Sequence, residues 1–132
     1  MILIDTSVWI DVLKGTANQK LTDFVGTHVI NENVAIIDLI RYELLIGCKT
    51  NREFSDLIFY LSKLEQIVFN HDSWNDLIDF GYNLKRKGLT IPLTDVMISY
   101  VAIKNNLELL HNDRHFNLIA SHENLQLIQN LL

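Results

Sequence analysis

Four acidic side chains lie beside four separate apolar runs, and they are the residues of this chain best suited to chemistry. Asp5 follows Met1-Ile2-Leu3-Ile4, and Glu43 interrupts Leu39-Ile40-Arg41-Tyr42-Glu43-Leu44-Leu45-Ile46. Asp95 opens Val96-Met97-Ile98-Ser99-Tyr100-Val101-Ala102-Ile103, and Asp113 lies just beyond Leu107-Glu108-Leu109-Leu110. Carboxylates are seldom buried unless they are paired or bind a metal. An acid beside each of four core-forming runs therefore points to one pocket where the ends of those elements meet. Two carboxylates about 5 Å apart at an effective dielectric of about 20 repel by roughly 3 kcal/mol. Four gathered without a cation should have raised pKa values, and a divalent ion turns that cost into binding energy. Oxygen-only donors suit Mg²⁺ or Mn²⁺ rather than Zn²⁺. Each acid also has a plainer reading. Asp5 and Asp113 could be turn or cap residues, and Asp95 a charge favoured by a helix dipole. Glu43 is hardest to explain that way, because its surroundings are apolar.

The elements that must position these acids follow from periodicity. Residues 1–4 read as a buried strand. Ser7 is placed to cap a helix carrying Val8, Trp9, Ile10, Val12 and Leu13, which Gly15 ends. Leu21, Phe24 and Val25 give helical spacing over about 17–27. Residues 34–37 read as a second strand, followed by a helix over 39–46 capped by Asp38 and stopped by Gly47. Phe54, Leu57, Ile58 and Leu61 form a helical stripe within 51–62. A third strand is expected over 66–69, then a helix from Ser73 to Lys87 closed by Gly88. Thr94 is the expected cap of an apolar helix over 95–104, with Asn106 as its left-handed end. A fourth strand over 107–110, a short helix over 114–120 and a last strand over 125–128 complete the chain.

Strands alternating with helices imply parallel pairing through crossovers. The expected fold is α/β, a mostly parallel sheet of about five strands flanked by helices, with residues 1–132 forming a single domain. Ligands in such sheets lie beyond the carboxyl ends of the strands, where Asp5 and Asp113 fall.

Bulk properties agree. Hydrophobic residues make up 48% of the chain and mean hydropathy is +0.14, high for a chain this short, which suggests an oligomer or a tight protein partner. No apolar run approaches the roughly 20 residues needed to cross a bilayer, so no membrane role is expected. No signal peptide is visible, and the single cysteine, Cys48, reads as a small buried hydrophobe. A cytoplasmic location is expected. The net charge of −5 excludes a simple basic nucleic-acid binder. Two divalent cations would bring the balance close to zero, so local basic patches could still attract nucleic acid.

The motifs Ile4-Asp5-Thr6-Ser7, Glu43-Leu44-Leu45-Ile46-Gly47, Gly88-Leu89-Thr90-Ile91 leading to Asp95-Val96-Met97-Ile98, and Leu109-Leu110-His111-Asn112-Asp113-Arg114-His115-Phe116 resemble a PIN-domain ribonuclease. More narrowly, they are similar to the VapC-type toxins of type II toxin–antitoxin pairs. The resemblance runs the full length in order. It implies a PIN-like fold and Mg²⁺- or Mn²⁺-dependent endonuclease activity on RNA, with Asp5, Glu43, Asp95 and Asp113 as metal ligands. It also implies a supporting hydroxyl from Thr6 or Ser7, products with 5′-phosphate and 3′-hydroxyl ends, a homodimer, and inhibition by a small cognate antitoxin. Two departures stand out: His111 occupies a position where such proteins often carry Thr, and His115 one where a second Asp is common.

Other residues are more ambiguous. His111 and His115 have the spacing of a helical metal pair, but no zincin Glu lies between them, and they read as polar turn residues. Lys85, Arg86 and Lys87 form the densest basic cluster. They could complement a helix C-terminus or contact RNA phosphate, as could Arg114 beside Asp113. Trp9, Tyr60, Trp74 and Tyr82 read as core or interface residues rather than base-stacking platforms. Arg41 reads as solvated or paired with an acid. Two rival functions remain. A phospho-receiver signalling domain would need paired acids after the first strand and a late Lys, where this chain has Thr6 and His111-Asn112. A PIN-like scaffold that binds RNA or protein without catalysis is opposed by the complete set of four acids.

Overall fold

A computed structural model describes residues 1–129 and 131. The chain order is β1 (Ile2–Ile4), α1 (Thr6–Lys14), α2 (Gln19–Ile30), β2 (Val34–Ile36), α3 (Asp38–Leu45), α4 (Asn51–Leu61), β3 (Glu65–Gln66), α5 (His71–Arg86), α6 (Leu93–Lys104), β4 (Glu108–Leu110) and α7 (Arg114–Ala120). The four strands form one parallel sheet in the order β3-β2-β1-β4. The chain therefore moves one way across the sheet from β1 through β2 to β3, then returns to pair β4 on the other side of β1. Crossovers between parallel strands are right-handed, so this reversal places α1 to α4 on one face and α5 and α6 on the other. α1 packs on α2 and α3, and α3 on α4; α5 and α7 both pack on α6.

β1, β2 and the buried part of β4 are short and apolar because both faces are covered, whereas β3 at the sheet's edge is polar and exposed. Leu3, Ile4, Ile36, Leu109 and Leu110 have no accessible surface, and Trp9, Ile40, Ile98 and Phe116 complete the core between the layers. α6 is apolar around its whole circumference. Val96, Met97, Ile98, Val101 and Ala102 are all buried, as expected of a helix enclosed by its neighbours.

Several helix starts differ from the sequence expectation for a common reason: backbone geometry selects the cap. α1 is capped at Asp5, whose carbonyl accepts from Val8 and Trp9 N–H. This leaves Ser7 inside the first turn. α6 starts after Pro92, whose fixed φ and missing N–H suit a helix entry, so Thr94 is already helical. Ile37 precedes α3, and the Asp38 carboxylate instead pairs with Arg41 at 2.9 Å. α5 begins two residues before Ser73, which closes a reciprocal capping box with Asn70. α2 is capped by Asn18 and runs on to Ile30. Gly15 and Asn106 take the expected left-handed conformations, and α7 has the expected bounds.

The strand count also changes. The fifth strand expected over 125–128 is a single parallel bridge, Leu109 to Leu127, with only two backbone bonds to Leu109. β3 is Glu65–Gln66 rather than 66–69, because Phe69 leaves the sheet to pack edge-on against Trp74 and Tyr100. Cys48 is half-buried rather than buried.

Within α6, Ser99 has no accessible surface, and its hydroxyl has no hydrogen-bond partner. A buried unsatisfied hydroxyl costs about 1–3 kcal/mol, so removing it should not harm the fold. Ser99→Ala is expected to leave stability unchanged or raise it by about 1 kcal/mol in urea denaturation. A loss of more than about 1 kcal/mol would show that the hydroxyl helps hold α6.

Candidate active site

At the carboxyl ends of β1 and β4, where the strand order reverses, Asp5, Asp95 and Asp113 come close enough to act on one another electrostatically, and Glu43 is tied to them through Thr6. Ile4 and Leu110 are register partners, and Asp5 N–H continues the ladder by donating to Leu110 carbonyl at 3.0 Å. The residues after β1 and after β4 therefore leave the sheet side by side. α6, packed on α7 and β4, brings the first-turn residue Asp95 to the same edge. α3, packed on α1, presents Glu43.

Each acid is held by its own donor. Thr6 Oγ1 donates to Glu43 Oε1 at 2.8 Å, tying α3 to the residue after Asp5. Ser7 Oγ lies 2.6 Å from Asp5 Oδ2 and 2.7 Å from the Asn112 side-chain amide. A hydroxyl has one proton, so Ser7 donates to Asp5 Oδ2 or to Asn112 Oδ1, one at a time. His115 Nδ1 stands 2.9 Å from Asp95 Oδ2 and 3.3 Å from Asp113 Oδ1. Asp113 caps α7, its Oδ1 accepting the His115 backbone N–H at 2.9 Å. Among the described residues, Asp95, Asp113 and His115 form a group whose donor atoms all lie within 4.8 Å of one another, a spacing able to hold a metal ion.

The electrostatics divide the acids. Burial pushes the Asp5 carboxyl above its ordinary value, and the Asp113 charge adds to this against the opposing Ser7 and Thr6 bonds. Burial likewise raises Asp95, opposed by the His115 bond and reinforced by the charges of Asp113 and Asp5. The three aspartates thus share one field. Asp113 goes the other way, because the His115 backbone N–H stabilises its ionised form. The sequence expectation of uniformly raised carboxylates is corrected at this position. Desolvation, rather than repulsion among the acids, is the main cause at the other two. His111 is buried, and burial lowers its pKa. Its Nδ1 accepts from Asp113 N–H at 3.1 Å and its ring packs edge-on against Phe116, so it supports the Asp113 loop as a neutral imidazole.

His115 is the residue that reading the sequence assigned to a turn and that the fold places between Asp95 and Asp113. Its signal was the Asp-x-His spacing at a helix start, where the capping acid and the third residue face one another. Of the basic candidates, Arg114 is exposed at the start of α7, directly after Asp113. Lys85 and Arg86 are exposed at the end of α5, whereas Lys87 is paired with Glu123 at 2.7 Å.

The family model for the PIN domain matches residues 2–121. Ribonuclease VapC11 of Mycobacterium tuberculosis is 29% identical, with 96% of each chain covered. A VapC ribonuclease of Mycobacterium bovis aligns equally well. Among solved structures, DNA-bound VapBC from Salmonella typhimurium superposes with a TM-score of 0.78 at 20% identity, covering 97% of this chain and 98% of that one. VapBC2 from Rickettsia felis, bound to a promoter DNA fragment, gives 0.75 at 24% identity, with 97% and 98% covered.

A raised carboxyl pKa means that the folded chain holds a proton to higher pH than the unfolded chain does. Metal-free stability should therefore fall as pH rises from the ordinary value of 3.8 through the raised values of Asp5 and Asp95. Asp5→Asn should flatten that slope in thermal melts recorded in EDTA across about pH 4 to 7.5; parallel curves for the two proteins would contradict the burial of Asp5. Carboxylates from three separate elements, gathered at the strand-order reversal of a parallel sheet and matched over nearly the whole chain by one family model, place this protein in the PIN domain family.

Proposed function

We propose that this protein is a Mg²⁺- or Mn²⁺-dependent endoribonuclease, the toxin of a toxin–antitoxin pair, with residues 1–132 acting as one PIN domain. Asp5, Glu43, Asp95 and Asp113 form its metal-holding catalytic set. The observation that carries this reading is that Asp5, Asp95 and Asp113 share one field at the strand-order reversal, although burial there penalises two of the charges. A cation offsets that penalty, and the donor atoms fit one, since those of Asp95, Asp113 and His115 all lie within 4.8 Å. A divalent cation held there would neutralise the scissile phosphate and lower the pKa of the attacking water.

The chain's own residues supply the rest. Asp113 stays ionised because α7 donates to it, and Ser7 and Thr6 orient Asp5 and Glu43. Arg114, Lys85 and Arg86 present exposed cations to the RNA backbone. Lys87 contributes less, because Glu123 already neutralises it. Cellular RNA as substrate implies a cytoplasmic location. No helix among the described residues is long and apolar enough to cross a membrane.

Two apolar faces suit two protein partners. A groove between α1, α3 and α4, lined by Ile10, Leu13, Leu44, Leu57 and Tyr60, reaches Glu43 and carries charges of both signs at Lys14, Lys49, Glu53 and Asp56. It suits a segment of different sequence, the cognate antitoxin, and the structural neighbours include toxin–antitoxin complexes. Trp74, Ile78 and Tyr82 form an exposed stripe along α5. An apolar stripe can face its own copy across a two-fold axis without opposing like charges, so this face suits a homodimer.

Asp5→Asn should lower RNA cleavage on the order of 10²-fold or more while leaving circular dichroism unchanged. EDTA should abolish cleavage by the unsubstituted protein, and sequencing of cut ends should find 5′-phosphates. Cyclic 2′,3′-phosphate ends, or activity indifferent to EDTA, would refute the mechanism, and a protein that binds RNA without cutting it would be a scaffold. Ile78→Glu should convert a dimer to a monomer by light scattering, since like charges facing across an interface cost several kcal/mol. An unchanged dimer would place the interface elsewhere.

A further inference from the structure

Building on the metal-dependent reading above, we propose that His115 is itself a ligand of the cation and that its nitrogen makes the site prefer Mn²⁺ over Mg²⁺. His115 Nδ1 is within hydrogen-bond reach of two carboxylates from different elements, Asp95 at 2.9 Å and Asp113 at 3.3 Å. Neighbouring ligands on an octahedral ion with bonds of about 2.1 Å stand about 3 Å apart. Each carboxylate thus stands from the imidazole at the spacing of adjacent ligands, and all three donors lie within 4.8 Å of one another. A cation can take the place of the proton that joins them in the metal-free protein.

The ring is held for this role. The His115 backbone N–H is fixed to Asp113 Oδ1 at 2.9 Å, so the first turn of α7 sets the position of the side chain relative to the carboxylate. Among the described residues no Lys or Arg ion pair to Asp113 is formed, and the neighbouring Arg114 is exposed. His111, the other histidine of the same loop, is buried and has its Nδ1 occupied by Asp113 N–H, which leaves His115 as the imidazole facing the acids.

The chemistry of the donor then sets the ion. Mg²⁺ takes oxygen almost exclusively and keeps its waters, whereas an imidazole nitrogen suits first-row transition ions, Mn²⁺ being the weakest binder of that series. One nitrogen among carboxylates therefore shifts the balance from Mg²⁺ toward Mn²⁺ without creating a zinc site.

The test uses the purified protein with Mn²⁺ or Mg²⁺ alone. Pulsed electron paramagnetic resonance of the Mn²⁺-loaded protein should show directly bonded ¹⁴N. His115→Asp, which keeps His111 and restores an oxygen donor, should lose that signal. By calorimetry, the ratio of Mn²⁺ to Mg²⁺ affinity should fall at least tenfold in His115→Asp. Mn²⁺ bound to the unsubstituted protein without nitrogen coupling overturns the assignment of His115 while leaving the metal-dependent reading intact. No Mn²⁺ binding at all overturns both. The resonance measurement on the unsubstituted protein decides the point even if the variant fails to fold.

Discussion

The pairing of β1 with β4 is the constraint on which the rest of the molecule depends. Ile4 lies opposite Leu110, and the Asp5 N–H bond to Leu110 carries the parallel ladder one residue past the strand. Once that register is set, Asp5 and the loop from His111 to Asp113 must emerge together, although more than 100 residues of chain separate them. The strand order makes this edge the point where crossovers diverge to opposite faces. The meeting of these loops at one edge is a topological consequence of the fold. Its acids are a choice of sequence.

Gathering acids at such an edge has a cost that the molecule meets locally rather than globally. Each carboxylate is given a donor: Ser7 for Asp5, Thr6 for Glu43, His115 for Asp95, and the first turn of α7 for Asp113. None of these donors is a Lys or Arg. A strong cation would neutralise the pocket permanently and compete with a metal, whereas hydroxyl, amide and imidazole donors orient the acids and leave most of the negative charge in place. Arg41, on the same helix as Glu43, is instead turned to Asp38.

Much of this was legible in the sequence, and the parts that were not share a physical cause. Gly15, Asn106 and the whole of α7 were visible because their signals are local: a left-handed residue at a helix end, a capping Asp, and apolar spacing. The three aspartates that act on one another, Asp5, Asp95 and Asp113, were legible as candidates because charge beside an apolar run is conspicuous. Cap positions failed at α1, α3 and α6, where the residue with the right dihedrals, not the best side chain, opens the helix. The strand expected over 125–128 failed because strand identity depends on a neighbour. Leu109 offers only one bridge, and an apolar run alone cannot show that. His115 was read as a turn residue because its partner Asp95 lies 20 positions away, a distance at which no periodicity operates.

The division of the three aspartates follows from where their backbones sit. Asp5 and Asp95 are buried by the sheet edge and by α6, so low polarity governs them. Asp113 stands at the start of α7, where a free N–H is available and water is closer, so hydrogen bonding governs it. A pocket with two reluctant charges beside one stable charge is asymmetric before any ligand arrives. On the proposed metal-dependent reading, the stable charge would attract a cation first, and the arriving cation would then remove the penalty that keeps the other two reluctant. Binding and ionisation would reinforce one another at this edge, which an array of four equivalent, fully solvated acids would not achieve.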